Sequence, residues 1–316
     1  MKFKKFIKIL SVNILLFIFL FCVLEIITIS CLCNLWKHVD KNLLNEKWSY
    51  FFRYKSKILE DENWFRPVEY RQGKKLPVVL FGCSLTHGIG LKDNETFSRK
   101  LADYTNRTVY NKGFPAGGAA TMLHYLQTPE FKKEIPEAEY FIYTFFYDHL
   151  RRVYMIAPDW FNEYFIVSYY ISSENKLKEN HFNKLECLIF STATYRLMNY
   201  LYVKRKSEIA TKKNEYTLFF RIVEESNKII KRYYPDAKFV ILVYDNEKNF
   251  YSLYPDAEEK LFNEFGKRND IKVLYTKKMS IGEDILNGKY RNSDKLHPST
   301  EVWDILVPEI SKELNL

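Results

Sequence analysis

The chain has 316 residues, 47% of them hydrophobic and 28% charged, with 10 Gly and 10 Pro, which excludes collagen-like, low-complexity and disordered classes. Its 5 cysteines, three of them (Cys22, Cys31, Cys33) inside one apolar tract, exclude a disulfide framework. The net charge of +9 arises from Lys and Arg interspersed with 39 acids, without a zinc-finger or RNA-binding motif, so no nucleic-acid partner is expected and a mildly basic, membrane-facing protein fits better.

Lys2, Lys4, Lys5 and Lys8 precede an apolar run from Ile9 to Trp36 that holds one charge, Glu25. A bilayer core takes about 20 apolar residues, so this run is long enough to span. Lysines retained on the cytoplasmic side place everything from Lys37 onward outside the cytoplasm. At about 1.5 Å rise per residue, Glu25 falls near the far interface, where its carboxylate reaches headgroup water. A cleaved signal peptide is the rival reading, and the small-x-small cleavage pattern it needs is missing. The expected organisation is a cytoplasmic tip and transmembrane anchor over 1–36, a neck over 37–76 and the main domain over 77–316.

The neck alternates polar and aromatic residues (Trp48, Tyr50, Phe51, Phe52, Tyr54) and reads as a short helix with extended segments, carrying no chemistry. After Pro77, short apolar runs alternate with amphipathic stretches, the pattern of an α/β architecture with a mainly parallel sheet. Strands are expected at Val78 to Gly82, Thr108 to Asn111, Tyr140 to Phe146, Phe239 to Tyr244 and Ile271 to Tyr275. Helices are expected at Thr96 to Tyr104 after the first strand and at Ser299 to Leu314 after the last. The gap from Phe146 to Phe239 exceeds one crossover helix several times over and predicts a helical insertion over about 150–236. Its aromatic stretch (Trp160, Phe161, Tyr164, Phe165, Tyr169, Tyr170) reads mainly as helix core, and its basic tract (Lys204, Arg205, Lys206, Lys212, Lys213) as a solvated helix end.

The first strand ends in Gly82-Cys83-Ser84-Leu85-Thr86-His87-Gly88-Ile89-Gly90. In an open α/β sheet, ligands bind beyond the carboxyl ends of the strands, so this turn occupies the default active-site position. No Lys-Ser or Lys-Thr pair follows Gly88, and Asp93 stands where a dinucleotide fingerprint needs its third glycine, so phosphate cofactors drop out. What remains is a hydroxyl on a tight, glycine-flanked turn, which is how a nucleophilic serine is displayed. A base and an orienting acid stand near the C-terminus in Asp294-Lys295-Leu296-His297-Pro298-Ser299. Pro298 disfavours the helical conformation for His297 and suits the first turn of the helix that follows. An acid three residues away reaches the second ring nitrogen and selects the tautomer that accepts a serine proton. His87 would have to fold back across its own turn to serve as base and is placed on the pocket rim. His124 and His181 read as structural. Without His-Glu-x-x-His or paired Cys-x-x-Cys sites, no metal or other cofactor is implied.

Together, Gly-Cys-Ser-Leu-Thr after the first strand and Asp-x-x-His-Pro-Ser before the last helix resemble the first and last blocks of the SGNH/GDSL hydrolase family, with Cys83 replacing the usual Asp. Asn111-Lys112-Gly113 is similar to the second block, and Asp93 to Phe97 resembles a stretch frequent in membrane-anchored bacterial members. The resemblance runs from about Pro77 to Leu314. It implies a flavodoxin-like three-layer α/β/α fold with a five-stranded parallel sheet. It also implies Ser84 as nucleophile, His297 as base, Asp294 as its orienting acid, and the N–H groups of Ser84 and Gly113 as an oxyanion hole.

The third block departs from the pattern. Where the family has Gly-x-Asn-Asp, this chain has Phe145-Phe146-Tyr147-Asp148-His149, and Tyr147 takes the Asn position. Losing such a donor costs on the order of 3 kcal/mol of transition-state stabilisation. His149, Arg151 and Arg152 are candidate substitutes, and the arginines pair equally well with Asp148 as structure. Tyr147, Asp148, His149 and Arg152, with His87, are the expected pocket residues. The function implied is a membrane-anchored, extracytoplasmic serine esterase that removes O-acyl groups, chiefly acetyl, from a glycan or a small ester. An O-acyltransferase using the same triad and a catalytically weak glycan-binding or assembly protein are the alternatives.

Overall fold

The computed structural model describes residues 65–115, 117–153, 169–179, 213–244, 255–294 and 297–316, with scattered positions between 13 and 27. The chain divides into two units. One comprises Glu62–Ile156, Val167–Asn180 and Thr211–Leu316 and holds everything described from residue 65 onward. The other comprises Met1–Asp61, Ala157–Ile166 and His181–Ala210. The expected membrane anchor lies mostly outside the described residues. Those described within it are helical, with exposed apolar side chains such as Leu16, Phe17 and Ile26. Among the described residues no helix is long and apolar enough to cross a membrane.

Five short β-branched and aromatic runs form one sheet: β1 (Val78–Gly82), β2 (Val109–Gly113), β3 (Tyr140–Phe145), β6 (Lys238–Val243) and β7 (Ile271–Tyr275), in the order β2-β1-β3-β6-β7. Every pairing is parallel. β1 and β3 are buried along their whole length, as strands covered on both faces must be. Among the described residues of this unit the α-helices are α1 (Ser84–His87), α2 (Phe97–Thr105), α3 (Ala119–Gln127), α4 (Pro129–Glu134), α5 (Asp148–Arg152), α6 (Lys213–Tyr233), α7 (Pro255–Asn269), α8 (Gly282–Leu286) and α9 (Thr300–Leu314).

Period-two alternation splits the core between the two sheet faces. Val79, Phe81, Phe141, Tyr143, Ile241 and Val243 join the cluster formed with α3, α6 and α7. Val78, Leu80, Tyr140, Ile142, Val240 and Leu242 join the one formed with α2 and α9, where Phe97 stacks on Trp303 at 4.5 Å. The result is a three-layer α/β/α arrangement. The strand order is that of a flavodoxin-like sheet, whose topological switch lies between β1 and β3.

Three boundaries differ from expectation. The segment assigned to a neck already belongs to this unit from residue 62: Glu69 bridges Val109 at the sheet edge, and Arg71 pairs with Asp103 of α2. The insertion is not wholly helical, because β4 (Tyr169–Ile171) and β5 (Leu177–Glu179) form an antiparallel hairpin. The Tyr169 hydroxyl donates to Gln127 Oε1 of α3 at 2.9 Å, which seats that hairpin. Finally, α6 fills the expected end of the insertion as a layer helix packed on the sheet, with Phe219, Ile222 and Ile230 fully buried. Trp160, Phe161, Tyr164, Phe165, Lys204, Arg205, Lys206, His181 and Cys187 lie outside the described residues.

Candidate active site

β1 passes into α1 through Gly82, whose φ of +154° and packing leave no place for a side chain: a Cβ there would fall 2.1 Å from Thr86 Oγ1. Cys83 caps α1 and is fully buried, so a thiol occupies a position where a carboxylate would lack solvent; burial pushes that thiol above its ordinary value. Ser84 follows as the first helical residue and is partly exposed.

The C-terminal loop that faces it is folded by its own hydrogen bonds. Ser299 N–H donates to Tyr290 O at 3.0 Å and Asn292 N–H to His297 O at 2.8 Å. Asn292 Oδ1 accepts from the Asp294 N–H at 3.0 Å, an Asx turn. Asp294 in turn receives its own partner twice: Oδ1 accepts from the His297 N–H at 2.9 Å and Oδ2 lies 2.6 Å from His297 Nδ1. A carboxylate at Nδ1 keeps the proton there and leaves the Nε2 lone pair free to accept. Nε2 lies 2.8 Å from Ser84 Oγ. A hydroxyl, an imidazole and a carboxylate thus stand in line at the carboxyl end of β1, an arrangement able to take the hydroxyl proton as oxygen attacks an electrophilic carbon.

The remaining expected site residues are distributed otherwise. His87 does not join this line. Its Nδ1 lies 3.2 Å from Gly113 O, and burial, then the Arg66 guanidinium, push its pKa down to about 4, so the ring is neutral and ties α1 to β2. Gly113 is corrected as an oxyanion donor: it is the last residue of β2, and its N–H donates to Asn111 Oδ1 at 3.0 Å. Asn111 itself, 1% exposed, donates to Thr86 O at 2.9 Å and to Ser98 Oγ at 3.0 Å, holding α1 and α2 together. His149 is corrected as a pocket residue. It is 0% exposed, packed among Phe145, Phe146 and Tyr143, with Nδ1 2.6 Å from the Tyr143 hydroxyl. Burial, then Arg152, hold that ring well below its ordinary pKa.

Arg152 and Asp148 pair with each other at 2.7 Å across one turn of α5, and Arg152 Nη1 donates to Gly117 O at 2.8 Å, which fixes the turn leading into α3. Tyr147 is half-buried against Phe145. The side chain of Arg151 lies outside the description. Sequence reasoning missed two residues that build the site, Asn292 and Arg66. An Asn two positions before an acid is a legible turn signal; nothing local marks Arg66.

No family model and no curated protein matches this chain. Solved structures similar to it include a member of the lipolytic protein G-D-S-L family from Veillonella parvula, at 9% identity over 75% of this chain and 97% of that one, with a TM-score of 0.42. A second is an acetyl xylan esterase from the rumen bacterium Butyrivibrio proteoclasticus, at 9% identity over 79% of this chain and 66% of that one, with a TM-score of 0.43. A third is a salicylyl-acyltransferase from a tetracycline biosynthetic pathway, at 12% identity over 78% of this chain and 57% of that one, with a TM-score of 0.42.

Proposed function

We propose that the protein is a serine esterase of SGNH/GDSL type, anchored in the membrane by its N-terminal tract with its catalytic unit outside the cytoplasm, that removes O-acyl groups from a glycan. The observation that carries the chemistry is the pair of contacts on one imidazole, Asp294 at Nδ1 and Ser84 at Nε2. In this reading Ser84 Oγ attacks the acyl carbon while His297 Nε2 takes its proton. Asp294 stabilises the imidazolium, which then protonates the departing sugar alkoxide. Water repeats the cycle on the acyl-enzyme and frees the acid. The Ser84 N–H, in the first turn of α1 and so without an intrahelical acceptor, is the oxyanion donor the turn supplies.

The anchor rests on the lysines ahead of the apolar run and on the exposed apolar side chains of its described helical residues. The glycan substrate follows from that placement, since an anchored unit outside the cytoplasm meets envelope polymers and needs only water as second substrate. A catalytically weak glycan-binding protein is the second reading, favoured by the engagement of the Gly113 N–H with Asn111 and by Tyr147 at the third block. Incubation of the full chain with a fluorophosphonate probe separates the two. The esterase reading expects one label, on Ser84, absent from Ser84→Ala; a wild-type chain that takes no label would overturn it.

A further inference from the structure

An α-helix leaves its last carbonyls without intrahelical donors, and α1, four residues long, is hardly more than those carbonyls. Asn111 satisfies Thr86 O. Arg66 meets the next two: His87 O accepts from its Nε at 3.1 Å, and Gly88 O, which also accepts from the Leu91 N–H at 3.1 Å, from its Nη2 at 2.8 Å. Nη2 also donates to Leu91 O at 2.9 Å, and Nη1 pairs with Asp93 Oδ1. One planar guanidinium thereby holds the end of the serine helix and the whole loop after it, a geometry that needs a fork of donors on a rigid plane.

The same loop carries the histidine. Ile89 O, between the carbonyls that Arg66 holds, accepts from Asn292 Nδ2 at 3.0 Å, and Asn292 sets the turn of Asp294 and His297. Gly90 allows that approach: its φ is +80°, and a Cβ there would fall 2.5 Å from Asn292 Nδ2. The loop from His87 to Leu91 is therefore the common reference for nucleophile and base. We infer that Arg66 is a positioning residue for the Ser84–His297 pair, and that the segment ahead of β1 is part of the active unit rather than a passive spacer. The inference rests on the serine-esterase reading. Other contacts hold the segment in place independently: Phe65 packs edge-on against Tyr125 at 5.2 Å with the Lys112 ammonium 4.3 Å from its ring, and Glu69 bridges Val109. Loss of the guanidinium alone leaves the segment docked.

The test uses the full chain in detergent and compares wild type, Arg66→Ala and Arg66→Lys. Misplacing reacting groups by about 1 Å costs about 100-fold, so Arg66→Ala should lower the fluorophosphonate labelling rate of Ser84 and kcat for a short-chain aryl ester by about 10- to 100-fold, with KM little changed. Millimolar guanidinium ion, too dilute to affect the fold, should restore part of the rate in Arg66→Ala by occupying the vacated fork. Arg66→Lys keeps the charge beside Asp93 but not the fork. It guards against an alanine variant that fails to fold, and it should melt near the wild-type temperature yet remain slow. Equal labelling rates in wild type and a folded Arg66 variant would overturn the inference alone; a wild-type chain without label would overturn the esterase reading and the inference with it.

Discussion

The side-chain amide of Asn292 donates to the Ile89 carbonyl at 3.0 Å across 203 positions of chain, and so joins the loop that carries His297 to the loop that follows Ser84. Its oxygen meanwhile accepts from the Asp294 N–H at 3.0 Å. One short side chain sets both the shape of the acid–base loop and its distance from the nucleophile.

Asn292→Ala removes both contacts. A lost hydrogen bond of this kind is worth about 1 kcal/mol each to stability, but turnover should fall further, by about 10- to 100-fold, because the geometry of the pair is lost. Steady-state kinetics on a short-chain aryl ester together with a melting temperature separate the two effects. Wild-type kcat in Asn292→Ala would show that the loop keeps its register without the amide.

Ser84→Ala and His297→Ala are each expected to lower kcat/KM by at least about 1,000-fold, while Asp294→Asn leaves KM nearly unchanged and acts on kcat, as the loss of a group engaged in the transition state should. Initial rates over a range of the same ester's concentration read both constants. Unchanged turnover in His297→Ala would return the role of base to another group, and His87, bonded to the Gly113 carbonyl, would have to leave that partner to serve.

The folded chain should lose stability in mild acid through His87. Its pKa stands at about 4 in the fold against an ordinary 6.5, because burial and then the Arg66 guanidinium disfavour the charged ring. Between those two values the unfolded chain binds more protons than the folded one, so stability rises with pH and is complete above 6.5. Falling from there through the folded value removes on the order of 3 kcal/mol. His149, also held down by burial, acts in the same direction. Melting temperatures followed from pH 7 downward should decline over this window in wild type and decline less in His87→Gln; identical slopes would show that the ring titrates normally.

A reporter joined after Leu316 should be active only outside the cytoplasm, with the full-length chain retained in the membrane fraction, because four lysines precede the apolar run. Recovery of a shortened, freely soluble form would identify that run as a cleaved signal.

Hydrolysis and transfer differ in what accepts the acyl group. A transferase needs an activated donor and an acceptor sugar, whereas hydrolysis needs only water at the Ser84 turn. The chain is therefore expected to release free acid from an acylated oligosaccharide at a rate insensitive to added acceptor sugar. Release that begins only with acceptor present, with the acyl group recovered on that sugar, would replace hydrolysis by transfer.

Much of this protein was determined by the sequence alone, where the signal is local. Val78 to Gly82 and Ile271 to Tyr275 are strands with the expected bounds because short apolar runs between turn residues bury in a sheet, the first on both faces, the second at the edge with Lys272 exposed. The Asp-x-x-His spacing places a carboxylate on its own histidine because three residues of a tight loop reach no farther, and the contact at 2.6 Å follows from that reach. Only the tertiary structure decided which polar groups remained free. Gly113 presents no N–H because Asn111, two residues away but turned by the packing of α1 and α2, takes it. His149 is buried because α5 lays it on Phe145 and Phe146. Arg66 reaches the serine loop because the strand-edge bridge of Glu69 to Val109 carries the preceding residues past α1. Hydrogen-bond partners drawn from distant segments depend on how whole layers pack, and no spacing within the sequence encodes that.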